Sequence, residues 1–497
     1  MRTRNVVLLI FAFTLFGNQS VWALNMMAAD TAFIRTYGGI NFEEFRDIVQ
    51  TPDSGFMMAG ITNGYGQGSN AIYVVKTTKD GTHMWSRALG GAAADLAYSI
   101  SADASGNYYI AGTSSSGGNG GYDGYLVCLN VSGDVQWEKY YGGSDWDFIY
   151  SVKVMPDQSI LLAGESYTFS DGGSDAWVLH LNSVGDTLWT KHFGSTGNDA
   201  FKDINVSSSA IYLAGYVDST DANGHDGFLV KLDYDGNEIW NQRYSNLGKD
   251  ILNGSVFVPS GNIIIYGATA PFDSVKNDIW VELIDTNGVS IWQNNSGSSE
   301  DDYANKIIPI RNNDMVIVGQ KDPSGLGRKC MYLARYDETG FQQGPQSLGG
   351  VNDEEGYSGV RTMEGGIAFV GYTTSYGVAN KDAMLVYLRY DSTITTLDYD
   401  IVIYIEQLSP IGIDEISTDS DIFLFPNPAS DKVTINSGFD KEVSTLMIYD
   451  YSGRQLHVQL DNQSKTFSTN GLSSGIYLLK ITMDDGRMYS AKLTILR

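Results

Sequence analysis

Short runs in which apolar and polar residues alternate recur along most of the chain. In one representative stretch such runs occupy residues 96–102, 107–112, 124–129 and 135–140, and turns rich in Gly, Asp, Ser and Asn separate them. A period of two is typical of β-strands with one buried face, and the β-branched and aromatic content of the runs supports this interpretation. The pattern therefore predicts groups of four short antiparallel strands and an all-β fold.

This group of four strands is repeated at a spacing of about 52 residues. Two markers show the period: a tryptophan in the last strand and a glycine that ends the second strand. They are Trp85, Trp137, Trp189, Trp240 and Trp292, and Gly60, Gly112, Gly164, Gly215, Gly267, Gly319 and Gly371. Four strands in roughly 40–50 residues are the pattern of a β-propeller blade. The seven units predict a seven-bladed β-propeller over residues 24–391.

The phase of the repeat predicts how the ring of blades closes. Residues 33–39 (FIRTYGG) match residues 137–143 (WEKYYGG), which are the last strand of a unit and the turn after it. The seventh unit reaches its third strand at residues 383–389 and then departs from the pattern. We therefore expect residues 33–37 to supply the fourth strand of the last blade, a closure that avoids the exposed edges of an open array.

The repeat resembles those of known propellers. Residues 90–113 (GGAAADLAYSISADASGNYYIAGT) resemble the bacterial β-propeller repeats called SBBP repeats. Residues 133–137 (GDVQW) resemble the docking turn of quinoprotein-like propellers, which implies that the recurring tryptophan packs between adjacent blades. The resemblance covers about residues 33–391. It implies the fold and is nearly silent on function, because propellers serve many activities.

Composition and charge narrow the classes of function. The chain has 497 residues, with 58 Asp+Glu against 32 Lys+Arg and a formal net charge of −26. This excess of acid argues against nucleic acid and anionic lipid surfaces as partners, because both require basic patches. The two cysteines are too few for a disulfide scaffold.

The first 23 residues have the features of a secretory signal peptide. Arg2 and Arg4 precede an apolar run at residues 6–16, and a small-residue cleavage site follows at residues 21–23. This run is too short to span a bilayer comfortably, and later apolar runs are also too short. We therefore expect export by the Sec route and no transmembrane segment.

An acid recurs in every repeat, after the turn that enters the first strand. The seven acids are Glu43, Asp95, Asp147, Asp199, Asp250, Asp302 and Glu354. A carboxylate at this position can accept backbone N–H groups and fix the turn. The alternative is a ring of carboxylates at the channel mouth that holds Ca²⁺ or another hard cation as a cofactor, because converging negative charges repel one another without a cation.

The loops of one face supply the candidate ligand site. Strand alternation places the connections between second and third strands on the same face as the turns that enter the first strands, and these connections differ in every unit. The candidate binding residues on or beside them are Tyr65, Trp146, Tyr167, Phe169, Tyr216, His225, Phe272 and Tyr376. A rigid scaffold with divergent aromatic loops is typical of a recognition surface, and a protein or a glycan would suit it.

No catalytic residue is predicted. The sequence lacks the serine-hydrolase, zinc-protease, P-loop and dinucleotide motifs, so we expect a binding protein in preference to an enzyme. Two alternatives stay open. One is an extracellular carbohydrate-active enzyme, a glycoside hydrolase or lyase, that uses carboxylates at the channel mouth. The other is a structural or adhesion component of the cell surface.

A separate module is predicted at residues 421–497, behind an acidic linker at residues 392–420. The linker has six acids and no Lys or Arg, whereas the module has eight acids and eight bases. Alternating runs in the module predict a small Ig-like β-sandwich. Its recognisable motifs are FPNPAS at residues 425–430, YDYSGR at residues 449–454 and LSSGIYLLK at residues 472–480.

These motifs resemble the type A sorting domain of the type IX secretion system. The residues that carry the resemblance are Pro426, Asn427, Pro428, Gly453, Gly475, Tyr477, Lys480 and Lys492. The resemblance implies a bacterium of the Bacteroidota type, the type IX machinery as a partner, and secretion or display at the outer-membrane surface. It also implies removal of the module in or near the linker and, in many members of the family, attachment to surface lipopolysaccharide.

Overall fold

In the computed structural model the chain forms two units, which are described one after the other. The described residues are 32–39, 41–66, 68–170, 172–218, 224–245, 248–271, 276–310, 314–322, 328–350, 352–377, 381–388, 402–407, 422–425, 432–437, 443–449, 455–456, 458, 460–461, 465–473, 475–484 and 488–495. The predicted signal peptide lies outside them. Contacts divide the chain into the units Met1–Ile411 and Gly412–Arg497. Among the described residues no helix is long and apolar enough to cross a membrane.

The first unit is built from antiparallel sheets of four consecutive strands, which confirms the predicted all-β propeller with four-stranded blades. We number the blades one to seven in chain order. Blades one to four contain β2 Glu43–Gln50, β3 Phe56–Thr62, β4 Ala71–Thr77 and β5 His83–Leu89; β6 Asp95–Ala102, β7 Tyr108–Ser114, β8 Asp123–Leu129 and β9 Val135–Tyr141; β10 Asp147–Val154, β11 Ile160–Ser166, β12 Asp175–Leu181 and β13 Thr187–Phe193; and β14 Ala200–Val206, β15 Ile211–Asp218, β16 His225–Leu232 and β17 Glu238–Tyr244.

The remaining blades follow the same order. They contain β18 Gly248–Phe257, β19 Ile263–Pro271, β20 Asp278–Ile284 and β21 Ser290–Ser296; β22 Tyr303–Pro309, β23 Met315–Lys321, β24 Cys330–Tyr336 and β25 Gln342–Leu348; and, in blade seven, β26 Glu354–Arg361, β27 Ile367–Thr373, β28 Asp382–Leu388, β1 Phe33–Gly38 and β29 Val402–Gln407. The first strand of each blade contacts the first strands of its neighbours, and β26 contacts β2. These innermost strands therefore form a closed ring around a central channel.

The ring closes as the repeat phase predicted. Strand β1 pairs antiparallel with β28, with Ile34 opposite Val386 and Tyr37 opposite Ala383. All six residues of β1 are buried. The Tyr37 hydroxyl donates a hydrogen bond to the carbonyl oxygen of Gly81 in blade one, at 2.5 Å. The N-terminal strand is therefore the fourth strand of the last blade and also contacts the first blade.

Strand β29 was not predicted. It pairs in parallel with β1, from Phe33 opposite Val402 to Gly38 opposite Gln407, and adds a fifth strand to blade seven. Its residues fall inside the segment that the sequence analysis assigns to the linker, residues 392–420. The segment is therefore not an unstructured connection throughout, because part of it covers the outer edge of β1.

The recurring glycine of the second strand lies opposite a bulge in the first strand. In blade two Gly112 pairs with Ala97, and the register shifts by one residue between Ala97 and Ser99. A Cβ atom on Gly112 would lie 1.8 Å from the carbonyl oxygen of Leu96. Blades one and three to seven repeat this shift beside their own glycines. The recurring glycine is therefore needed where the backbones of the first and second strands approach closely.

The recurring tryptophan packs against the next blade, as the resemblance implied. The ring of Trp85 lies against Gly133, that of Trp137 against Gly185, and that of Trp292 against Gly340. Each of these glycines has a positive φ in the turn before a fourth strand, a conformation that glycine adopts without steric cost. Blade seven has no tryptophan at the equivalent position of β1, and the side chains of Phe33 and Arg35 lie against Gly81 instead.

A belt of hydrogen bonds joins the innermost strands. The Asp47 carboxylate in β2 accepts bonds from the Ser99 hydroxyl in β6, at 3.0 Å, and from the Ser358 hydroxyl in β26, at 2.6 Å. The Ser99 hydroxyl in turn accepts from the backbone N–H of Val152 in β10. Blades seven, one, two and three are therefore connected at the channel wall.

On the other side of the ring, asparagine side chains form the hydrogen bonds between innermost strands. The side-chain amides of Asn205, Asn253 and Asn305 donate to backbone carbonyl oxygens of the next innermost strand, at 3.3, 2.9 and 2.8 Å. These bonds connect β14 to β18, β18 to β22 and β22 to β26. We call the whole set the inner belt.

The second unit is a small two-sheet sandwich, as predicted. Its strands are β30 Ile422–Phe425, β31 Lys432–Ser437, β32 Val443–Tyr449, β33 Gln455–Leu456, β34 Leu460–Asp461, β35 Thr466–Ser468, β36 Gly475–Met483 and β37 Met488–Ile495. The two sheets have the strand orders β30-β31-β35-β34 and β33-β32-β36-β37. Buried residues of both sheets, including Val433, Phe467, Ile448 and Leu493, share one core.

Candidate functional site: the channel mouth of blades two to four

The seven recurring acids are all buried. Several accept a backbone N–H from the residue four positions earlier. These bonds are Gly39 to Glu43 at 3.0 Å, Gly91 to Asp95 at 2.7 Å, Gly143 to Asp147 at 2.8 Å, Ser195 to Asp199 at 2.5 Å, and Gly350 to Glu354 at 2.8 Å. Asp302 accepts from the N–H of Asp322 at 3.1 Å. These bonds match the turn-fixing role that the sequence suggested.

Side-chain hydroxyls donate further hydrogen bonds to several of these carboxylates. Thr62 donates to Glu43, Ser116 to Asp95, Thr168 to Asp147 and Thr373 to Glu354, at 2.7–2.9 Å. The described residues contain no group of three or more His, Cys, Asp or Glu side chains that could hold a metal ion. The alternative of a shared Ca²⁺ site formed by Glu43, Asp95, Asp147, Asp199, Asp250, Asp302 and Glu354 therefore lacks support from the geometry.

Pairs of acids at some blade junctions were missed by the sequence analysis. A Cβ atom on Gly38 would lie 2.7 Å from carboxylate oxygens of both Glu43 and Asp382, and Gly142 lies similarly close to Asp147 and Asp123. Burial raises the pKa of the Glu43 carboxyl above its usual range, and the charge of Asp382 adds to the shift. The glycines of these turns leave the space that the two carboxyl groups occupy.

Because six of the seven turn acids accept described hydrogen bonds, addition of Ca²⁺ or of EDTA is expected to leave the melting temperature of the full chain within about 1 °C. Saturating a real site at a hundred times its Kd would add about 2.7 kcal/mol of stability and raise the melting temperature clearly. Differential scanning fluorimetry checks this, with KCl at matched ionic strength as the control. A reproducible rise specific to Ca²⁺ would contradict the turn-fixing assignment.

The candidate loop aromatics differ in exposure. Trp146 is 51% exposed and Phe169 is 49% exposed, whereas Tyr167, Tyr216, His225 and Tyr376 are half-buried. Phe169 lies beside Trp177 and His192, with ring centroids 6.1 and 5.3 Å away. Phe272 lies outside the described residues. The exposed members thus come from blade three and the turn that enters it.

Tyr65 is wrong as a binding residue of the loop face. It is 4% exposed and belongs to the core cluster between blades seven and one. Its ring packs 5.7 Å from that of Tyr73, and a Cβ atom on Gly39 would lie 2.7 Å from its hydroxyl oxygen. The small residue in the neighbouring turn lets the ring fold inward, which the composition of its own loop does not reveal.

Six aromatic rings form a continuous set from the exposed face into the channel. The Trp146 ring is steeply inclined to the rings of Tyr122, Phe148 and Tyr167, with centroids 6.1–6.4 Å apart. Phe148 stacks on Tyr122 and on Tyr150, and Tyr150 meets the edge of Tyr98 at 5.3 Å. We call these six residues, Tyr98, Tyr122, Trp146, Phe148, Tyr150 and Tyr167, the aromatic surface.

A lysine and a glutamate lie at the inner end of the aromatic surface. The Lys202 ammonium lies 3.4 Å from the centre of the Tyr150 ring and 5.5 Å from that of Tyr216. The Tyr150 hydroxyl donates to Glu165 at 2.5 Å, and the Ser174 hydroxyl donates to the other oxygen of that carboxylate at 2.9 Å. Burial lowers the pKa of Lys202 to about 8, although the Glu165 charge opposes the shift.

Lys202, Glu165, Tyr98 and Tyr150 were not among the predicted site residues. A signal for most of them was present in the repeat. At one position of the first strand the units carry Arg46, Tyr98, Tyr150, Lys202, Asn253, Asn305 and Tyr357. These seven side chains are half-buried and each follows a buried residue, as expected for residues that face a channel. Reading that position across the units would have given the channel wall.

Of the eight predicted sorting residues, Gly475, Tyr477, Lys480 and Lys492 lie in described strands. Tyr477 is buried in the sandwich core, and its hydroxyl donates to the backbone oxygen of Ser473 at 2.9 Å. Gly475 begins β36, and Lys480 and Lys492 pair with Ser490 and Leu478. Pro426, Asn427, Pro428 and Gly453 lie outside the described residues.

Comparison with known proteins identifies the second unit. Residues 423–496 match the family described as the secretion system C-terminal sorting domain. No curated protein matches the chain. The chain thus carries the sorting domain of the type IX secretion system, which directs export to the cell surface or the medium and interacts with the type IX machinery.

Several solved structures are similar to the chain at low identity. Sqt1 from Chaetomium thermophilum is 11% identical with a TM-score of 0.41, over 73% of this chain and 99% of that one. The Pan2 WD40 domain of Neurospora crassa is 10% identical with a TM-score of 0.44, over 75% and 100%. The β-propeller domain of the Trilobed protease from Pyrococcus furiosus is 10% identical with a TM-score of 0.34, over 68% and 88%.

Proposed function

We propose that the propeller is a carbohydrate-binding protein that works outside the cell and binds its ligand through the aromatic surface. The observation that carries this proposal is the run of adjacent rings from the half-exposed Trp146 to Tyr150 in the channel wall. Export to the cell surface or the medium through the sorting domain is compatible with such a role.

The chemistry of the rings supports a sugar as the ligand. One face of a pyranose ring presents C–H groups, and the negative face of an aromatic ring attracts such groups while both surfaces leave water. Tyr122, Tyr98 and Tyr167 add hydroxyl groups, which can exchange hydrogen bonds with sugar hydroxyls. Rigid strands hold Phe148 and Tyr150, so little conformational entropy is lost on binding.

The surface also differs from the rest of the exposed apolar residues. Phe341, Val131 and Val289 are more exposed than Trp146, but they lie in or next to the turns that precede fourth strands, on the opposite face of the propeller. Trp146 lies in a group of rings that continues inward. A ligand that enters the channel mouth would therefore meet the aromatic surface.

The test is a glycan array probed with the full chain, followed by calorimetric titration of the strongest hit. Trp146→Ala is expected to weaken binding by about tenfold or more, because an aromatic anchor in an interface contributes about 2 kcal/mol. Phe341→Ala is the matched control: it removes an aromatic ring that is 62% exposed, away from the channel mouth. That variant should bind like the unmodified chain.

Two outcomes would overturn the proposal. An array without reproducible hits would do so and would favour a protein ligand for the same face. Hits that Trp146→Ala and Phe341→Ala weaken equally would show that glycans bind elsewhere. Since Trp146 is half-exposed, its replacement should leave the melting temperature almost unchanged, so a loss of binding reports on the site and not on the fold.

A further inference from the structure

Lys202 differs from three other cations that contact the innermost strands. Lys381 and Arg46 both form ion pairs with Glu44 in blade one, and Lys306 lies 3.4 Å from the Asp203 carboxylate. The Lys202 ammonium forms no such pair within the described part of the chain. Its described contacts are the faces of the Tyr150 and Tyr216 rings.

The nearby carboxylate is already engaged. Each oxygen of Glu165 accepts a hydroxyl proton, one from Tyr150 and one from Ser174. Glu165 thus holds the tyrosine ring below Lys202, and no Glu165 oxygen forms an ion pair with the ammonium among the described contacts, although the Glu165 charge acts on it from a distance. Removing an ammonium from water is costly unless a counterion replaces the lost hydration, and a cation–π contact replaces only part of it.

The position of this ammonium relative to the aromatic surface limits what could serve as the counterion. Tyr150 is the ring below Lys202 and also stacks on Phe148, with nearly parallel planes. A sugar ring lying on Phe148, next to Tyr150, would have its substituents within reach of the ammonium. A carboxylate on such a ring can form a charge-assisted hydrogen bond with the ammonium.

We propose that Lys202 binds the carboxylate of an acidic sugar residue whose ring lies on the aromatic surface. This inference rests on the proposed carbohydrate-binding function and names the ligand class: a glycan that contains uronic acid residues. The net charge of −26 makes it unlike a general anion binder, because a strongly acidic protein repels anions that it does not bind at a specific cation.

The test compares one glycan in two charge states. Oligogalacturonate and its fully methyl-esterified form have the same sugar ring, but only the first carries a free carboxylate. By calorimetric titration the full chain should bind the acid form about tenfold more tightly than the ester, the size expected for one charge-assisted hydrogen bond in a partly enclosed site. Lys202→Gln should remove this preference, and Lys202→Arg should retain most of it.

The matched control is Lys153→Gln, which removes the same charge from an exposed position near the end of the innermost strand β10. It should leave the acid-to-ester ratio unchanged. Trp146→Ala should weaken binding of both forms equally. Melting temperatures of all four variants, measured alongside, confirm that each protein is folded.

The failures are distinguishable from those of the proposed function. Equal affinity of the unmodified chain for acid and ester, or a preference that survives Lys202→Gln, overturns the role of Lys202 while carbohydrate binding stands. Absence of binding to both forms overturns the uronic acid class, and the glycan array then decides separately whether the propeller binds other sugars.

Discussion

Deletion of residues 24–38 is expected to lower the melting temperature of the propeller by about 10 °C or more. The deletion removes β1, whose side chains Phe33, Ile34 and Tyr37 are almost fully buried. Burial of three side chains of this size contributes about 2 kcal/mol each. Loss of the strand also leaves the main-chain groups of β28 and β29 without their described partner.

The two ends of the propeller meet at β1, so the effect should exceed that of losing an ordinary outer strand. The Arg35 guanidinium donates to the carbonyl oxygen of Asp80 at 2.7 Å, and Tyr37 bonds to Gly81, both in blade one. Differential scanning calorimetry of the full chain measures the change. Deletion of residues 24–31 alone leaves β1 intact and is the control. A melting temperature equal to that of the control would show that β1 does not hold the ring closed.

Gly112→Ala adds a single methyl group and should still cost about 3 kcal/mol or more of stability. The added Cβ would lie 1.8 Å from the carbonyl oxygen of Leu96 and 2.9 Å from the Cα of Ala97. Both atoms belong to the backbone of the neighbouring strand, so the clash cannot be relieved by rotating a side chain. The bulge in β6 would have to move, together with the inner-belt bond of Ser99.

Gly106→Ala is the matched control in the same blade. Gly106 has a φ of +87° and no neighbouring atom within 4 Å of a Cβ, so alanine there meets only the backbone cost of a left-handed conformation, about 1 kcal/mol. Thermal denaturation of the two variants separates the two effects. Equal losses of stability would mean that the recurring glycine is required for its φ alone and not for the close approach of the strands.

Much of the fold could be predicted because the repeated units of the chain can be aligned with one another. The spacing of Trp85, Trp137 and their equivalents sets the blade length, and residues 33–39 reveal the closing strand through their likeness to residues 137–143. The buried acids were also placed in the correct turns, since Gly-rich turns followed by an acid are a local signal. These features depend on residues close together in the chain.

The channel site could be predicted only in part. Trp146 and Tyr167 were predicted as binding residues because they lie in loops. Their partners Phe148 and Tyr150 lie in strand β10, where they match the usual alternation of apolar and polar residues in a strand. Lys202 reaches Tyr150 from the next blade, across 52 residues of sequence. Among the described residues Lys202 has no ion pair, and this depends on the distances between blades. The spacing of the repeats does not reveal these distances.

Strand β29 was missed for a related reason. Its apolar residues, from Val402 to Ile405, lie between acids and look like a short run within a linker. They form a strand because β1 has a free edge beside them, and that edge exists only once the first strand of the chain has paired with β28. The structure of this segment is therefore set by an edge formed by residues more than 360 positions away.

The pairing of β1 with β28 has a consequence for how the protein is made. Ile34 can pair only after Val386, which lies 352 residues later in the chain, has been synthesised. At synthesis rates of about 5–20 residues per second, the first strand has no partner for on the order of 20–70 s. During that time an apolar strand with open edges is available to wrong partners, including the same strand of another copy. A circular permutant with β1 joined after β28 would build each four-stranded blade from one contiguous segment and would remove that interval.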